Sequence, residues 1–168
     1  MKKYLPLLIF FCVVPLSAAE LEYPEIIKNG TILINAGVGF GNLGKGEPAP
    51  LQLCPPLTVS VDYALPIMGL PFTLGLITGY FSDRAKSNYM PIAARIGYHL
   101  PIYVRRLDTY MLLTLGGLVR ERKSNNFWMG VSAGARYFFL PNNHHIGAYA
   151  ELGIDRVQFI TFGVAFNL

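Results

Sequence analysis

The sequence predicts an all-β fold: an eight-stranded antiparallel up-and-down β-barrel whose strands cross a membrane. Hydrophobic residues make up 52% of the chain and charged residues only 14%, whereas a soluble domain usually carries about 25% charged residues. After the N-terminal segment no apolar stretch reaches the length of a transmembrane helix, about 20 residues. Apolar and polar residues instead alternate with a period of two in one segment after another, which indicates strands with one apolar face.

The N-terminal segment reads MKKYLPLLIFFCVVPLSAAE: two lysines, then an apolar run, then the small residues Ser17-Ala18-Ala19. This order predicts a secretory signal peptide that is cleaved after Ala19. A membrane anchor is the alternative, but Pro6 and Pro15 interrupt the apolar run, which is also short for a bilayer.

Three regions follow from this cleavage site. Residues 1–19 are the predicted signal peptide, residues 20–30 a short periplasmic N-terminal segment, and residues 31–168 the transmembrane β-barrel. The chain after cleavage has the length of one domain.

The first four predicted strands alternate with a period of two. Thr31–Phe40 (TILINAGVGF) and Leu57–Leu65 (LTVSVDYAL) set isoleucine, leucine and valine against small or polar residues. Phe72–Phe81 (FTLGLITGYF) and Met90–Leu100 (MPIAARIGYHL) follow, and the latter carries an arginine and a histidine on its polar face. Strands of about ten residues suffice to cross a bilayer at a tilt of about 45°.

The last four predicted strands complete an even number, as in bacterial single-chain barrels. Thr109–Val119 (TYMLLTLGGLV) is ambiguous and is assigned as a strand by its place in the series. Phe127–Phe139 (FWMGVSAGARYFF), Ile146–Ile154 (IGAYAELGI) and Ile160–Leu168 (ITFGVAFNL) alternate clearly. A soluble barrel would also alternate, but it would carry charge on its outer faces, and these faces carry none.

Turn-forming residues separate the predicted strands, and with eight strands both termini are predicted to be periplasmic. The predicted periplasmic turns are Pro66–Pro71, Pro101–Asp108 and Pro141–His144. The predicted outer loops are Gly41–Pro56, Ser82–Tyr89, Arg120–Asn126 and the tight Asp155-Arg156.

The last predicted strand carries a specific motif: a polar residue, Gly, and two hydrophobic residues at Thr161, Gly163, Phe166 and Leu168. In this pattern the chain resembles the eight-stranded outer-membrane barrels, the group that contains the OmpA transmembrane domain, OmpX and OmpW. In that group the motif is the signal that the barrel assembly machinery recognises, and Leu168 departs from the usual final Phe.

A second resemblance rests on GARYFFLPNNHHIGAYAELG together with VDYALPIMGLPFTLG. These stretches are similar to an uncharacterised family of small outer-membrane barrels common in spirochaetes and Bacteroidetes. Both resemblances imply a monomer in the bacterial outer membrane, with outer-membrane lipids and the barrel assembly machinery as partners. The basic excess is too diffuse to indicate nucleic-acid binding.

Four charged residues are predicted to face the lumen: Asp62, Arg95, Arg136 and Glu151. An eight-stranded barrel has an interior just wide enough for side chains to fill it, and buried charges must be paired. We therefore expect a salt-bridged plug, with a gated or proton-linked pore as the alternative. Inward glycines either make room for large neighbours or leave a narrow path for solvent.

The sequence predicts no catalytic residue, no metal site and no cofactor. A Ser–His–acid hydrolase needs its members side by side near the outer lipid boundary, but His144 and His145 fall in a predicted periplasmic turn and His99 at the inner end of its strand. The adjacent His144 and His145 offer no third metal ligand. Cys54 is the only cysteine after the signal peptide, so a free thiol is expected, with an intermolecular disulfide as the alternative.

The predicted function is a non-enzymatic integral outer-membrane barrel with a structural or surface-interaction role. The alternative is a porin-like narrow channel for small or hydrophobic solutes, as in OmpW. A barrel enzyme that modifies lipid A is the third and weakest candidate.

The C-terminal motif generates the first testable prediction. Deleting Phe166–Leu168 removes the apolar end of the docking strand, so the truncated chain should fail to insert and should be degraded or aggregate in the periplasm. Membrane fractionation with an antibody to the barrel measures this. Normal insertion of the truncated chain would show that the motif is not the assembly signal.

Overall fold

In the computed structural model, the segments that alternate with a period of two form eight strands. The structure describes residues 27–40, 54–66, 71–82, 88–101, 104, 106–120, 126–140, 144–154 and 160–168. The strands are β1 (Ile32–Phe40), β2 (Cys54–Ala64), β3 (Phe72–Ser82), β4 (Asn88–Leu100), β5 (Leu107–Arg120), β6 (Asn126–Phe138), β7 (Ile146–Ile154) and β8 (Ile160–Asn167).

Each strand pairs antiparallel with its neighbours in chain order, and β1 pairs with β8 to close the barrel. Ile32 and Leu168 exchange backbone hydrogen bonds of 3.1 and 2.9 Å at the point of closure. The predicted fold class, a closed eight-stranded up-and-down barrel, is confirmed. Among the residues that the structure describes, no helix is long and apolar enough to span a bilayer.

The alternation separates an apolar outside from a mixed inside. Along β4, for example, Ile92, Ala94 and Ile96 are exposed whereas Ala93, Arg95 and Gly97 between them are buried. The same parity holds on every strand, so the outside of the barrel is a continuous apolar surface. Its large members include Leu57, Val59, Val61, Leu74, Leu76, Ile92, Ile96, Leu113, Leu115, Met129, Val131, Leu152, Phe162 and Val164.

Two apolar clusters lie inside the barrel, one toward each end. Strand β1 begins and β8 finishes at the same end, which we call the terminal end; the other is the distal end. At the terminal end Ile27, Leu33, Ala64 and Phe138 form the terminal cluster, all with no exposed surface. At the distal end Phe81, Ala93 and Trp128 form the distal cluster, with Ile77 and Tyr89 packed against it.

Ile27 reaches the lumen because a tight turn precedes β1. The Thr31 amide donates to the Lys28 carbonyl at 3.0 Å, and the Gly30 amide donates to the Ala64 carbonyl at 3.0 Å. Gly30 has a φ of 87°, a left-handed conformation that costs glycine little. The turn therefore directs Ile27 into the mouth of the barrel instead of along its wall.

The strands differ from the prediction at several boundaries. Strand β5 begins at Leu107, so the predicted turn Pro101–Asp108 is too long; Asp108 belongs to the barrel interior, where it is ion-paired. Strand β2 begins at Cys54, inside the predicted outer loop Gly41–Pro56, and its register shifts between Cys54 and Leu57. Such an irregularity accommodates prolines, which cannot donate to a ladder.

Two further boundaries move, and several predicted loops lie outside the described residues. Asn88 and Tyr89 belong to β4 and not to the outer loop Ser82–Tyr89. The signal peptide with Ala19, the loop residues 41–53 and 121–125, and Asp155-Arg156 are not among the residues that the structure describes.

The outer surface generates the second prediction, which uses two valines of similar exposure. Val61 on β2 is 44% exposed and Val104, outside the strands, is 51% exposed. If the outside faces hydrocarbon, Val61→Arg should destabilise the barrel by about 2–4 kcal/mol. Val104→Arg should stay within about 0.5 kcal/mol, as an ordinary surface change does.

Equilibrium unfolding of both variants in lipid vesicles measures the difference. Equal and small effects would indicate that water, not hydrocarbon, surrounds Val61.

Candidate functional site

The charged side chains of the barrel converge in its interior. Asp62, Arg95, Arg136 and Glu151 come from β2, β4, β6 and β7, and between 0 and 5% of each residue is exposed. They converge because all four lie at positions of their strands whose side chains point into the barrel. The structure brings together all four residues that were predicted to face the lumen.

Asp62 contacts both arginines, and Glu151 contacts Arg95. Arg95 Nε lies 2.9 Å from Asp62 Oδ1, and Arg95 Nη2 donates to Glu151 Oε1 at 3.0 Å. Arg136 Nη2 donates to Asp62 Oδ2 at 3.1 Å. The Arg95–Asp62 contact is close but not aligned as a hydrogen bond, so its attraction is that of two opposite charges.

Arg136 is the most connected residue of the lumen. Its Nη1 donates to Asp108 Oδ2 at 2.8 Å, and its Nε donates to Asn35 Oδ1 at 2.9 Å. Its guanidinium carbon lies 3.9 Å from the centre of the Tyr110 ring, a cation–π contact. Arg136 thereby links β6 to β1, β2 and β5.

Asp108, Tyr110, Asn35 and His99 complete this lumen network. The Tyr110 hydroxyl donates to Glu151 Oε1 at 2.9 Å, and Asn35 Nδ2 donates to Ser60 Oγ at 2.9 Å. Sequence analysis did not identify Asp108 as a lumen residue, because it follows a turn signal directly. The sequence nonetheless indicated the position of Asp108. It lies two residues before Tyr110, which faces inward, and residues two apart in a strand share a face.

His99 lies between a carboxylate and a hydroxyl. Its Nδ1 is 2.6 Å from Asp108 Oδ1, and its Nε2 is 3.3 Å from Thr73 Oγ1. A hydroxyl, an imidazole and a carboxylate in this order are the parts of a hydrolytic triad. All three residues are buried, however, and the terminal cluster lies next to them on the terminal side. The contacts therefore hold the imidazole ring in place within the packed interior.

The inward glycines make room for large neighbours. A Cβ atom at Gly37 would collide with the Tyr149 hydroxyl, one at Gly75 with the Asp62 carboxylate, and one at Gly134 with the Tyr110 ring. The volume that these glycines leave is thus occupied by the network and its aromatic supports. Of the two predicted roles of the inward glycines, this arrangement corresponds to the first.

The C-terminal motif residues lie on both faces of β8. Thr161 is buried beside Glu151, and Gly163 pairs with Tyr149 on β7 and with Gly37 on β1. Phe166 and Leu168 are exposed on the outer surface. The hydroxyl of Thr161 has no hydrogen-bond partner within the described part of the chain.

The remaining histidines form no chemical centre in the described segments. His145 Nδ1 lies 2.6 Å from the Asn167 carbonyl oxygen. No three His, Cys, Asp or Glu side chains of the described ranges are grouped as they would be around a metal ion.

A closed antiparallel barrel of eight strands, with paired charges inside and an apolar outside, has the architecture of transmembrane β-barrels. The fold is similar to the N-terminal β-barrel domain of OprF from Pseudomonas aeruginosa, with a TM-score of 0.58 at 16% identity over 83% of this chain and 98% of that one. It is also similar to a de novo designed transmembrane β-barrel, with a TM-score of 0.51 at 20% identity over 84% of this chain and 98% of the design. No protein-family model and no curated protein matches the sequence.

The Arg95–Glu151 contact generates the third prediction. Glu151→Ala leaves Arg95 with one carboxylate fewer in the buried interior, and removing one partner of a buried pair typically costs about 3–5 kcal/mol. Adding Arg95→Ala should recover part of that loss, with a coupling energy of about 0.5–3 kcal/mol. Unfolding titrations of the two single variants and the double variant give this energy.

Lys28→Ala is the matched control, because Lys28 is an exposed cation outside the lumen. Its effect should add to that of Glu151→Ala within about 0.5 kcal/mol. Additivity in both cycles would mean that water solvates the lumen charges.

Proposed function

We propose that this protein is a non-enzymatic integral barrel of the bacterial outer membrane whose lumen is closed, and that its role is structural or mediates surface interactions. The carrying observation is the lumen network: Arg95 and Arg136 are each paired with two carboxylates across the barrel. The barrel then presents its surfaces, and not a pore, to its surroundings.

The energetics of buried charge support a closed lumen. Moving an ion out of water costs several kcal/mol, about 20 in an idealised apolar medium, and only close partners offset this cost. A solute that passed along the axis would have to separate Arg136 from Asp62 and Asp108. The terminal cluster adds an apolar cap beyond these pairs.

The outer surface supports insertion in a bilayer. Membrane barrels have an apolar band flanked by aromatic girdles at both interfaces. Phe72 contacts Tyr98 at the terminal end, with ring centroids 5.3 Å apart, and Tyr80 and Phe127 are exposed toward the distal end. The large apolar residues of the outer surface lie between these two levels.

Export and assembly are parts of the same proposal. The N-terminal sequence supports removal of residues 1–19 after Ala19, and the motif at Thr161, Gly163, Phe166 and Leu168 supports recognition by the barrel assembly machinery. Outer-membrane lipids are then the immediate partners of the exposed apolar residues.

The two alternatives receive less support from the geometry. A narrow channel needs a path along the axis, and three of the inward glycines are covered by Tyr149, Asp62 and Tyr110. A lipid-modifying enzyme needs a hydroxyl that a lipid can reach, and Thr73 beside His99 is buried.

Single-channel recording on the refolded protein in planar bilayers tests the closed lumen and is the fourth prediction. The wild-type barrel should give no unitary conductance steps. Arg136→Ala combined with Phe138→Ala removes both the centre of the network and a cap residue, and this variant should conduct. Tyr137→Ala, on the same strand but facing outward, is the matched control and should stay closed.

Regular steps from the wild-type barrel would contradict the closed lumen and favour the channel. A double variant that folds and remains silent would show that removing the centre of the network and one cap residue does not open the lumen.

A further inference from the structure

Residues 27–30 are the first part of the chain that the structure describes, and they lie before β1, outside the barrel wall. We call them the N-terminal strap. Lys28, Asn29 and Gly30 are exposed, whereas Ile27 has no exposed surface. Of the four residues of the terminal cluster, only Ile27 lies outside the strands. The apolar seal at the terminal end is therefore shared between the wall and the segment that precedes it.

The terminal cluster directly covers the lumen network. Strand β1 begins at the terminal end, and β2 and β6 finish there. On each of these strands a cluster residue lies two positions nearer to that end than a network residue and on the same inward face: Leu33 and Asn35, Ala64 and Asp62, Phe138 and Arg136. The cluster is thus an apolar layer between the ion pairs and the terminal mouth, and Ile27 completes this layer.

A short turn and two backbone bonds to β2 hold the strap on the barrel. The Gly30 amide donates to the Ala64 carbonyl at 3.0 Å, and the Ala64 amide donates to the Thr31 carbonyl at 2.9 Å. Within the turn, the Thr31 amide donates to the Lys28 carbonyl at 3.0 Å, and the Lys28 amide donates to the Thr31 hydroxyl at 3.2 Å. These bonds fix the point at which Ile27 enters the mouth.

The closure of the barrel does not depend on the strap. Strand β1 begins at Ile32, which exchanges its backbone hydrogen bonds with Leu168. The paired residues of β1 with β2 and of β1 with β8 include no strap residue. Release of the strap therefore takes Ile27 out of the terminal cluster and no strand out of the ring.

We propose that the N-terminal strap is an autoinhibitory contact: Ile27 is a stopper that seals the terminal mouth, and its withdrawal admits water to the buried ion pairs of Arg136 without opening the wall. Water weakens ion pairs because it raises the local dielectric constant, so the stopper stabilises the closed state of the lumen. This inference rests on the closed lumen of the proposed function and assigns its control to a segment outside the barrel wall.

Gly30 allows the strap to be loosened without any change to Ile27. Its φ of 87° is unfavourable for a residue with a side chain. A Cβ atom at this position would meet only the Tyr63 hydroxyl, at an ordinary contact distance of 3.9 Å. Gly30→Ala therefore disfavours the conformation of the turn and creates no collision.

The accessibility of a thiol at position 64 measures the seal, because Ala64 belongs to the terminal cluster and has no exposed surface. In the full-length chain the two native cysteines, Cys12 and Cys54, are replaced by serine, and Ala64→Cys introduces the reporter thiol. The refolded barrel in detergent micelles is treated with 2-(trimethylammonium)ethyl methanethiosulfonate, a permanently charged reagent, and the increase in mass is followed over time. We expect slow modification while the strap is intact.

Two strap variants and two matched controls are compared in this background. Ile27→Ala should raise the rate of modification at least about tenfold, because the lost side chain no longer favours the sealed mouth. Ile32→Ala, at an exposed isoleucine of the outer surface, should leave the rate unchanged. Gly30→Ala should raise the rate about fivefold or more. Gly117→Ala should not, because a Cβ atom at Gly117 meets nothing within 4 Å.

Equal rates in Ile27→Ala and Ile32→Ala overturn the stopper, and so does fast modification while the strap is intact. An unchanged rate in Gly30→Ala overturns the role of the turn. Conductance distinguishes these outcomes from a failure of the proposed function. Unitary steps from a barrel whose reporter thiol is protected contradict the closed lumen and not the strap, whereas rapid modification in a silent barrel contradicts the strap alone.

Hydrogen exchange on the wild-type barrel keeps the proposal testable if the variants do not fold. The amides of Gly30 and Thr31, both hydrogen-bonded at the turn, should be protected relative to an unstructured chain. They should nevertheless exchange at least about tenfold faster than those of Leu33 and Asn35 in β1, because the strap opens without the wall. Absent protection shows that nothing holds the strap, and protection equal to that of β1 shows that the strap does not separate from the wall; either result overturns the proposal.

Discussion

The attraction between Arg136 and the carboxylates of Asp62 and Asp108 is the interaction on which the interior depends. A guanidinium with no exposed surface is tolerable only when its donors meet acceptors, and three of them do, on three other strands. Several features of the barrel follow from this requirement. Glycines stand beside the bulky network members, and apolar residues pack at the terminal end next to the ion pairs.

The same alternating strands place apolar residues outside and paired charges inside, and the two faces meet different physical requirements. Outside, every backbone group must be paired because hydrocarbon offers no partner, and the closed order of strands meets that demand. Inside, charge is tolerated because it is balanced at short range. Pro91 on β4 has no N–H to donate to β3, and the Thr78 hydroxyl donates to its carbonyl at 3.1 Å.

Much of this arrangement could be predicted from the sequence, since parity fixes which face a strand residue occupies. The fold class followed from alternation and strand number, and the inward parity of Asp62, Arg95, Arg136 and Glu151 followed from their neighbours. Asp108 was not predicted to face the lumen, because proline and aspartate are typical turn residues. In the structure its ion pair with Arg136 holds Asp108 in a strand. The ion-pair partners of the arginines could not be predicted either. Periodicity places Arg95 inside the barrel but does not show which carboxylate lies within reach of it.

The sequence distances within the lumen network have a consequence for the order of assembly. Arg136 meets Asp62 across 74 residues and Asn35 across 101, so its partners are in place only when the first two strands and the sixth belong to one ring. A sheet without β1 and β2 would leave Arg136 paired with Asp108 on the neighbouring β5 but without Asp62 and Asn35. Intermediates in which β1 and β2 have not yet joined the sheet lack these contacts. The barrel should therefore form and melt as one cooperative unit. The complete charge network therefore stabilises the closed barrel and not a partly formed sheet.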